Sequence, residues 1–156
     1  MLFLELHQLL KREKIPYALV GGFAVSLHGV VRGTVDVDIV LPHKEDVFVR
    51  FEAVLKKAHY ASRLPVNAQE VFQFRQEYIE RRNLVAWTFI HQQDPSKYID
   101  VVLTHNLDKM KVEYVQFQKE KIPLVALEDL IAMKKQSGRM QDLEDIKALE
   151  YVRKIK

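Results

Sequence analysis

The chain has 156 residues, of which 48% are hydrophobic and 29% charged, as is typical of a single soluble globular domain over residues 1–156. It has no cysteine and a formal net charge of +3, which excludes disulfides and thiolate metal sites and permits an anionic ligand. Its apolar runs are too short to cross a bilayer. The N-terminal segment MLFLELHQLLKREK carries Glu5 early, so we expect an amphipathic helix instead of a signal peptide, and a cytoplasmic protein.

The segment after this helix predicts a strand, a turn and a second helix. YALVG (17–21) has the apolar character of a short buried strand. Gly21-Gly22 marks a turn, and FAVSLHG is expected to form a helix that ends at Gly29.

Another strand and helix follow. TVDVDIVL (34–41) predicts the second strand, which Pro42 ends, and KEDVFVRFEAVLKKA (44–58) has apolar residues at helical spacing. Residues 59–82 are compatible with more than one assignment.

The second half of the chain predicts strands and then helices. LVAWTFIH (84–91) and YIDVVLT (98–104) are expected to pair through the polar turn QQDPSK. A short helix near 106–112 and a hairpin through YVQFQKEKIPLVA follow.

Two helices, roughly 127–136 and 141–153, are separated by Ser137-Gly138 and close the chain. The whole order predicts an α/β (α+β) domain. We expect a mixed β-sheet with helices packed mainly on one side and a C-terminal helical pair.

Two acidic residues lie inside the second predicted strand, where such residues are rare. Because side chains alternate along a strand, Asp36 and Asp38 share one face, roughly 7 Å apart, and Val37 points to the other. Two such carboxylates repel each other unless a cation lies between them, and a hard ion such as Mg²⁺ suits their oxygens. The structural alternative is that one aspartate caps the strand and the other is exposed at a sheet edge.

A third acidic residue, Asp100, interrupts the apolar run YIDVVLT. If this strand lies beside residues 34–41, the three carboxylates converge and can hold two metal ions. One ion would activate an attacking hydroxyl and the other would stabilise a leaving pyrophosphate. Otherwise Asp100 is an edge-strand acid near a turn.

The Gly21-Gly22 turn follows a strand and opens a helix, so its backbone N–H groups can bind phosphate. Glycine there also lets a triphosphate approach the backbone closely. Most Gly-Gly pairs form only turns, so the pair by itself is compatible with both interpretations.

The run VGGFAVSLHGVVRGTVDVDIV resembles the signature of the nucleotidyltransferase superfamily, which has the polymerase-beta-like fold. That signature is a strand, a Gly-Gly or Gly-Ser turn, a helix, an Asp-x-Asp strand and a third acid on a later strand. The form G-G-x-A…H-G…R-x-T-x-D-x-D and the tail PLVALEDLIAMKKQSGRMQDLEDIKALE are similar to the small prokaryotic AbiEii-type toxin-like branch. The resemblance covers nearly the whole chain.

The resemblance implies a role for each of the singled-out acids and glycines. Asp36 and Asp38 would bind Mg²⁺ or Mn²⁺, and Asp100 would be the general base or a further metal ligand. Gly21 and Gly22 would cradle the triphosphate of an NTP. Many family members have serine at the second position, so here phosphate binding would depend on backbone groups.

The resemblance also implies that Arg32 and Lys134 contact NTP phosphates, while Arg139 and Asp142 brace the fold. Arg32 could equally neutralise the acidic cluster through a salt bridge. The alternative for Lys134 is a solvated helix face with ion pairs.

The implied reaction moves an NMP from an NTP to a hydroxyl and releases pyrophosphate. The acceptor could be an RNA such as a tRNA end, a protein or a small molecule, and a toxin of this branch would have a cognate antitoxin as partner. The alternative function is a non-catalytic nucleotide- or partner-binding module, because one fold can host several functions.

Overall fold

The computed structural model describes residues 1–30 and 36–155, which form helices and one sheet. The helices are α1 (Leu2–Arg12), α2 (Gly21–Leu27), α3 (Glu45–Lys57), α4 (Ala68–Arg82), α5 (Leu127–Ser137) and α6 (Met140–Ile155). The strands are β1 (Ala18–Val20), β2 (Val37–Val40), β3 (Tyr60–Ser62), β4 (Ala86–His91), β5 (Tyr98–Val102), β6 (Val112–Phe117) and β7 (Glu120–Val125). A single 3₁₀ turn covers Leu107–Lys109, inside the predicted short helix. No helix in the described part of the chain combines the length and the apolar character needed to cross a membrane.

The seven strands form one mixed sheet in the order β3-β4-β5-β2-β1-β7-β6. The pairs β2/β5 and β1/β7 are parallel, and the other neighbours are antiparallel. The predicted mixed sheet is therefore confirmed, and β5 lies beside β2. The predicted acids could converge only if the strand of Asp100 lay beside the strand of Asp38, and this is the arrangement in the sheet.

One face of the sheet is covered by α3, which supplies aromatic residues to the core. Phe48 stacks on Trp87 of β4 with ring centroids 5.5 Å apart, and Phe51 meets Phe89 edge-on at 5.5 Å. Aromatic pairs of this kind each add about 0.5–1.5 kcal/mol beyond the burial of their area. The Trp87 indole donates a hydrogen bond to Ser62 Oγ at 3.1 Å, so its polar atom is satisfied.

The segment 59–82, whose assignment was open, contains β3 and α4. Two asparagines set the limits of α4. The Asn67 side chain accepts the backbone N–H of Glu70 at 2.9 Å, which is an N-cap. Asn83 ends the helix in the left-handed conformation at φ 51°.

The predicted C-terminal helical pair is present. Gly138 follows α5 with φ 61°, a conformation that favours glycine, and α6 begins at Met140. The two helices pack together through buried residues that include Leu130 and Leu149. This packing places the start of α6 beside the end of α5 and the sheet face opposite α3.

Candidate active site

The sheet face opposite α3 carries two acidic side chains at its centre. Asp38 of β2 and Asp100 of β5 are directly opposite each other in the parallel pair, so their side chains share one face of the sheet. Val37 and Ile39, the neighbours of Asp38 in β2, are fully buried. The alternation predicted for β2 is therefore confirmed, since hydrophobic residues point to the α3 face and Asp38 points away from it.

The pKa values in this pair reflect repulsion and burial. Burial raises the pKa of Asp38 to about 7, and the negative charges of Asp100 and Asp36 act in the same direction. The positive charge of Lys134 has the opposite, smaller effect. At neutral pH the Asp38 carboxyl is thus partly protonated, and a cation at this position would release that proton.

Thr88, on the neighbouring strand β4, orients the second acid. Its hydroxyl donates a hydrogen bond to Asp100 Oδ1 at 2.5 Å, because the β4/β5 register places the two residues opposite each other. Thr88 is not among the residues that the sequence marked as site candidates. The predicted hairpin around QQDPSK could have indicated Thr88, because pairing residues 84–91 with 98–104 across that turn brings Thr88 beside Asp100.

The two acids line a cleft of about 650 Å³ between the sheet and α5. Its other walls come from the β1–α2 turn, the start of β4, the end of β5 and the α5–α6 connection. Gly21, Lys134 and Arg139 are among its lining residues. The cleft therefore collects six of the residues that the sequence marked as candidates for the site or its bracing, namely Asp38, Asp100, Gly21, Lys134, Arg139 and Asp142.

Gly21 makes the closest approach of backbone to an acid. It has φ +67°, and a Cβ at this position would lie 2.8 Å from Asp38 Cγ. Non-bonded heavy atoms essentially never lie under 3.0 Å from a Cβ atom, so only glycine fits here without displacing Asp38. Gly22 follows in the first turn of α2 and is buried.

Gly21→Ala is expected to lower the free energy of unfolding by about 1–3 kcal/mol, because it combines a left-handed backbone with a contact that must relax. Urea melts of wild type and variant would measure this. Gly29→Ala is the matched control, since Gly29 also has a positive φ but nothing lies within 4 Å of its Cβ position. A loss no greater than that of the control would show that Asp38 moves aside at little cost.

Asp36 lies just before β2 and is only loosely part of the site. One of its oxygens, Oδ1, is buried and has no hydrogen-bond partner within the described residues. Its charge influences Asp38, but Asp36 is not among the described residues that line the cleft. Residues 1–30 and 36–155 contain no group of three or more His, Cys, Asp or Glu side chains placed to hold a metal ion. The structure thus brings together two of the three predicted acids, and Arg32 lies outside the described residues.

Lys134 lines the cleft from α5, but its ammonium group already has two partners. Its Nζ lies 3.2 Å from Asp142 Oδ1 and 3.1 Å from Asp145 Oδ2 of α6. The side chain is only 8% exposed, so the alternative of a solvated helix face does not apply to it. Asp145 was not singled out from the sequence, although its spacing from Asp142 places both acids on one helical face.

Arg139 joins the same network from the connection between α5 and α6. Its Nε donates to Asp142 Oδ2 at 2.9 Å, and its backbone N–H donates to the same oxygen at 3.1 Å. The Arg139 side chain is 75% exposed, whereas Asp142 is fully buried. The Asp142 carboxylate therefore connects Arg139 at the mouth of the cleft with Lys134 at its wall.

Asp38→Asn is expected to stabilise the metal-free protein at high pH. The folded-state pKa of Asp38 is raised above its unfolded value, so the native state binds the extra proton and stability falls as the pH rises from about 4 to about 7. The variant lacks this loss, so its free energy of unfolding should exceed that of wild type by roughly 4 kcal/mol at pH 8, at about 1.4 kcal/mol for each pKa unit. Urea melts in EDTA at pH 5 and pH 8 would measure the difference. Asp46→Asn, on the exposed surface of α3, should show no such rise.

The whole chain, residues 1–156, matches the model of a family described as "Nucleotidyltransferase of unknown function (DUF6036)". No curated protein sequence matches the chain. Neither the family match nor the similar structures below identify the AbiEii-type branch, which stays a prediction.

Several solved structures have a similar fold. The lincomycin-bound lincosamide antibiotic adenylyltransferase LnuA has 18% identity and a TM-score of 0.65, with 97% of this chain and 96% of that chain covered. ANT(2'')-Ia in complex with adenylyl-2''-tobramycin has 11% identity and a TM-score of 0.60, with 97% and 92% covered. A putative nucleotidyltransferase from Thermotoga maritima has 16% identity and a TM-score of 0.59, with 96% and 89% covered. At these identities the likeness shows the fold.

Proposed function

We propose that this chain, which belongs to the nucleotidyltransferase family described as being of unknown function (DUF6036), transfers an NMP from an NTP to a hydroxyl group within its cleft. The observation that carries the proposal is the Asp38–Asp100 pair, opposite each other on parallel strands and open to the cleft. Rigid strands hold reacting carboxylates more precisely than loops do. The similar folds of two antibiotic adenylyltransferases support the same class of reaction.

The donor set of the pair fits a divalent ion, Mg²⁺ or Mn²⁺. Asp38 and Asp100 would hold it, because Mg²⁺ is usually bound by one or two carboxylates together with substrate phosphates. The raised pKa of Asp38 and the unpartnered Asp36 Oδ1 both indicate negative groups that the described residues compensate only in part. When bound, the ion would supply Lewis-acid stabilisation of charge on the transferred phosphoryl group.

The protein's own groups would then handle the proton and the phosphates. The acceptor hydroxyl oxygen attacks the α-phosphorus, the bond to the β-phosphate oxygen breaks, and pyrophosphate leaves. Asp100, which Thr88 holds in one orientation, takes the hydroxyl proton as general base. Gly21 and Gly22 would bring backbone N–H groups to the triphosphate, with Lys134 as a cation in the wall beside it and Arg32 as a further candidate.

The finer features of the proposal derive from the sequence resemblance. They are a toxin–antitoxin role with a cognate antitoxin, and a cytoplasmic location. The acceptor could be RNA, a protein or a small molecule, and the antibiotics named for the similar structures belong to those proteins.

The test is transfer of label from each α-³²P NTP, with Mg²⁺ or Mn²⁺, to components of a cell extract that is separated into RNA, protein and small molecules. We expect label in one fraction, with release of pyrophosphate. Binding of an NTP with no transfer to any fraction would instead support the non-catalytic binding module. Absence of both NTP binding and transfer would contradict the proposed function.

A further inference from the structure

A group of basic side chains lies just beyond the cleft, where β2 and β5 end. We call His43, Arg75, His105 and Lys109 the basic rim. Burial lowers the pKa of His43, and the positive charges of Arg75, His105 and Lys109 lower it further. These four residues come from three separate segments of the chain. The His43 backbone N–H donates to Asn106 Oδ1 at 3.0 Å, which joins the segment of His43 to that of His105 and Lys109.

The basic rim is continuous with the cleft through His105. One ring nitrogen of His105 lies 3.1 Å from Gln136 Oε1, and the other lies 2.8 Å from Thr104 Oγ1. Both Thr104 and Gln136 line the cleft that holds Asp38. A molecule that reaches the acids from this side therefore passes the basic rim.

Aromatic residues of the core hold two members of the rim in place. The Arg75 guanidinium carbon lies 4.4 Å from the Phe72 ring centroid, and its Nη1 donates to the Phe72 carbonyl at 2.6 Å. Phe72 packs edge-on against Phe48, whose ring is also 6.2 Å from that of His43. An arginine fixed in this way loses less conformational entropy when it binds an anion.

Three carboxylates close to the rim in the sequence, Asp108, Asp46 and Glu45, have other partners. Asp108 lies 3.8 Å from Lys44 Nζ, and Asp46 lies 3.9 Å from an Arg50 nitrogen. Glu45 accepts a hydrogen bond from Gln73 at 3.4 Å.

Within residues 1–30 and 36–155, no carboxylate forms a salt bridge with any member of the basic rim. The Nε2 atom of His43 is buried and has no hydrogen-bond partner among these residues. Arg75 and Lys109 therefore carry positive charges that no salt bridge neutralises within the described part of the protein.

We propose that the basic rim binds a phosphate group of the acceptor, so that the acceptor of this nucleotidyltransferase is a phosphate-bearing molecule. Charge-assisted hydrogen bonds from arginine and lysine are the usual way to recognise phosphate. The phosphate could belong to an RNA strand or to a phosphorylated small molecule, and a polycationic acceptor would be repelled. The proposal rests on the proposed function for the meaning of "acceptor", but the binding site itself does not.

The first arm of the test measures binding of a fluorescent single-stranded RNA 20-mer by anisotropy, in EDTA and without NTP. Arg75→Gln with Lys109→Gln is expected to weaken binding at least about tenfold and to reduce the salt slope by roughly one to two. If the double variant does not fold, Lys109→Gln alone replaces it, because Lys109 is exposed. The single variant should weaken RNA binding by a smaller factor.

The matched control is Arg12→Gln with Lys57→Gln, which removes the same charge from exposed positions. Lys57 ends α3, about 20 Å from the His43 end of that helix, and Arg12 lies near Ala58. The control should bind RNA within about twofold of wild type.

The second arm measures calorimetric binding of ribose 5-phosphate, with ribose as the phosphate-free comparison. Rim-dependent binding of RNA supports an RNA source, and rim-dependent binding of ribose 5-phosphate alone supports a small-molecule source. If neither binds, or if the control loses as much as the rim variant, the proposal is overturned. Rim-dependent binding without NMP transfer to any acceptor would contradict only the proposed function. NMP transfer that is insensitive to the rim variant would overturn only the proposal that the basic rim binds the acceptor.

Discussion

Transfer of label should fall by about 10³-fold or more when Asp38 and Asp100 are both replaced by asparagine. The substitutions remove the proposed general base and both carboxylates that would hold a divalent ion, while the side-chain volumes stay nearly the same. Initial rates with the identified acceptor, at saturating Mg²⁺, would measure the effect. Because two repelling acids are removed, the variant should fold at least as well as wild type, and a urea melt would establish that the lost activity is chemical.

Asp46→Asn is the control for this experiment, since Asp46 is exposed and pairs only with Arg50 among the described residues. It should retain activity within about twofold, as expected for an exposed ion pair. If the double variant keeps more than a tenth of the wild-type rate, the reaction centre lies elsewhere and the assignment of the cleft is wrong.

The largest loss of stability is expected for Asp142→Ala, about 3–5 kcal/mol, because the variant leaves the buried Lys134 with one carboxylate fewer. Burial raises the pKa of Asp142, but the hydrogen bonds from Arg139, Ser137 and Lys134 outweigh burial and hold this pKa well below its usual range. A lowered folded-state pKa contributes stability above the unfolded value near pH 4, and this stability is lost as the pH falls below that value. Urea melts at pH 7 would measure the cost.

Glu128→Ala provides the comparison on the same pair of helices. Glu128 pairs with Arg153 across α5 and α6 at 2.9 Å, but both side chains are largely exposed. Exposed pairs contribute about 1 kcal/mol or less. If Asp142→Ala costs no more than Glu128→Ala, the buried network does not hold α6 against α5.

Alternation and turn chemistry account for the parts that the sequence predicted well. The Asp38 strand and the Asp100 strand were both visible because an acid interrupts an apolar run, and their parallel pairing confirmed that the two acids meet. Segment 59–82 is compatible with more than one assignment because the apolar spacing of α4 is weak. Its capping residues, Asn67 and Asn83, were the available signal.

The surroundings of Lys134 could not be predicted in the same way. Helical spacing shows which residues share a face of one helix, but it does not show which face of α6 turns toward α5. The tight turn at Gly138 brings Asp142 and Asp145 to Lys134, and this depends on the packing of both helices on the sheet. The same limit applies to the basic rim, whose members come from separate segments.

The order of the strands has a consequence for how the chain folds during synthesis. β1, near the N-terminus, has β2 on one side and β7 on the other, with Leu19 paired to Leu124. Contacts between such distant residues form slowly, because the intervening chain must first be ordered. Before β7 emerges from the ribosome, a nascent chain can bring Asp38 beside Asp100, but one edge of β1 is still open. An open strand edge can pair with other chains. The hairpin of β6 and β7 therefore protects the interior of the sheet from aggregation as well as completing it.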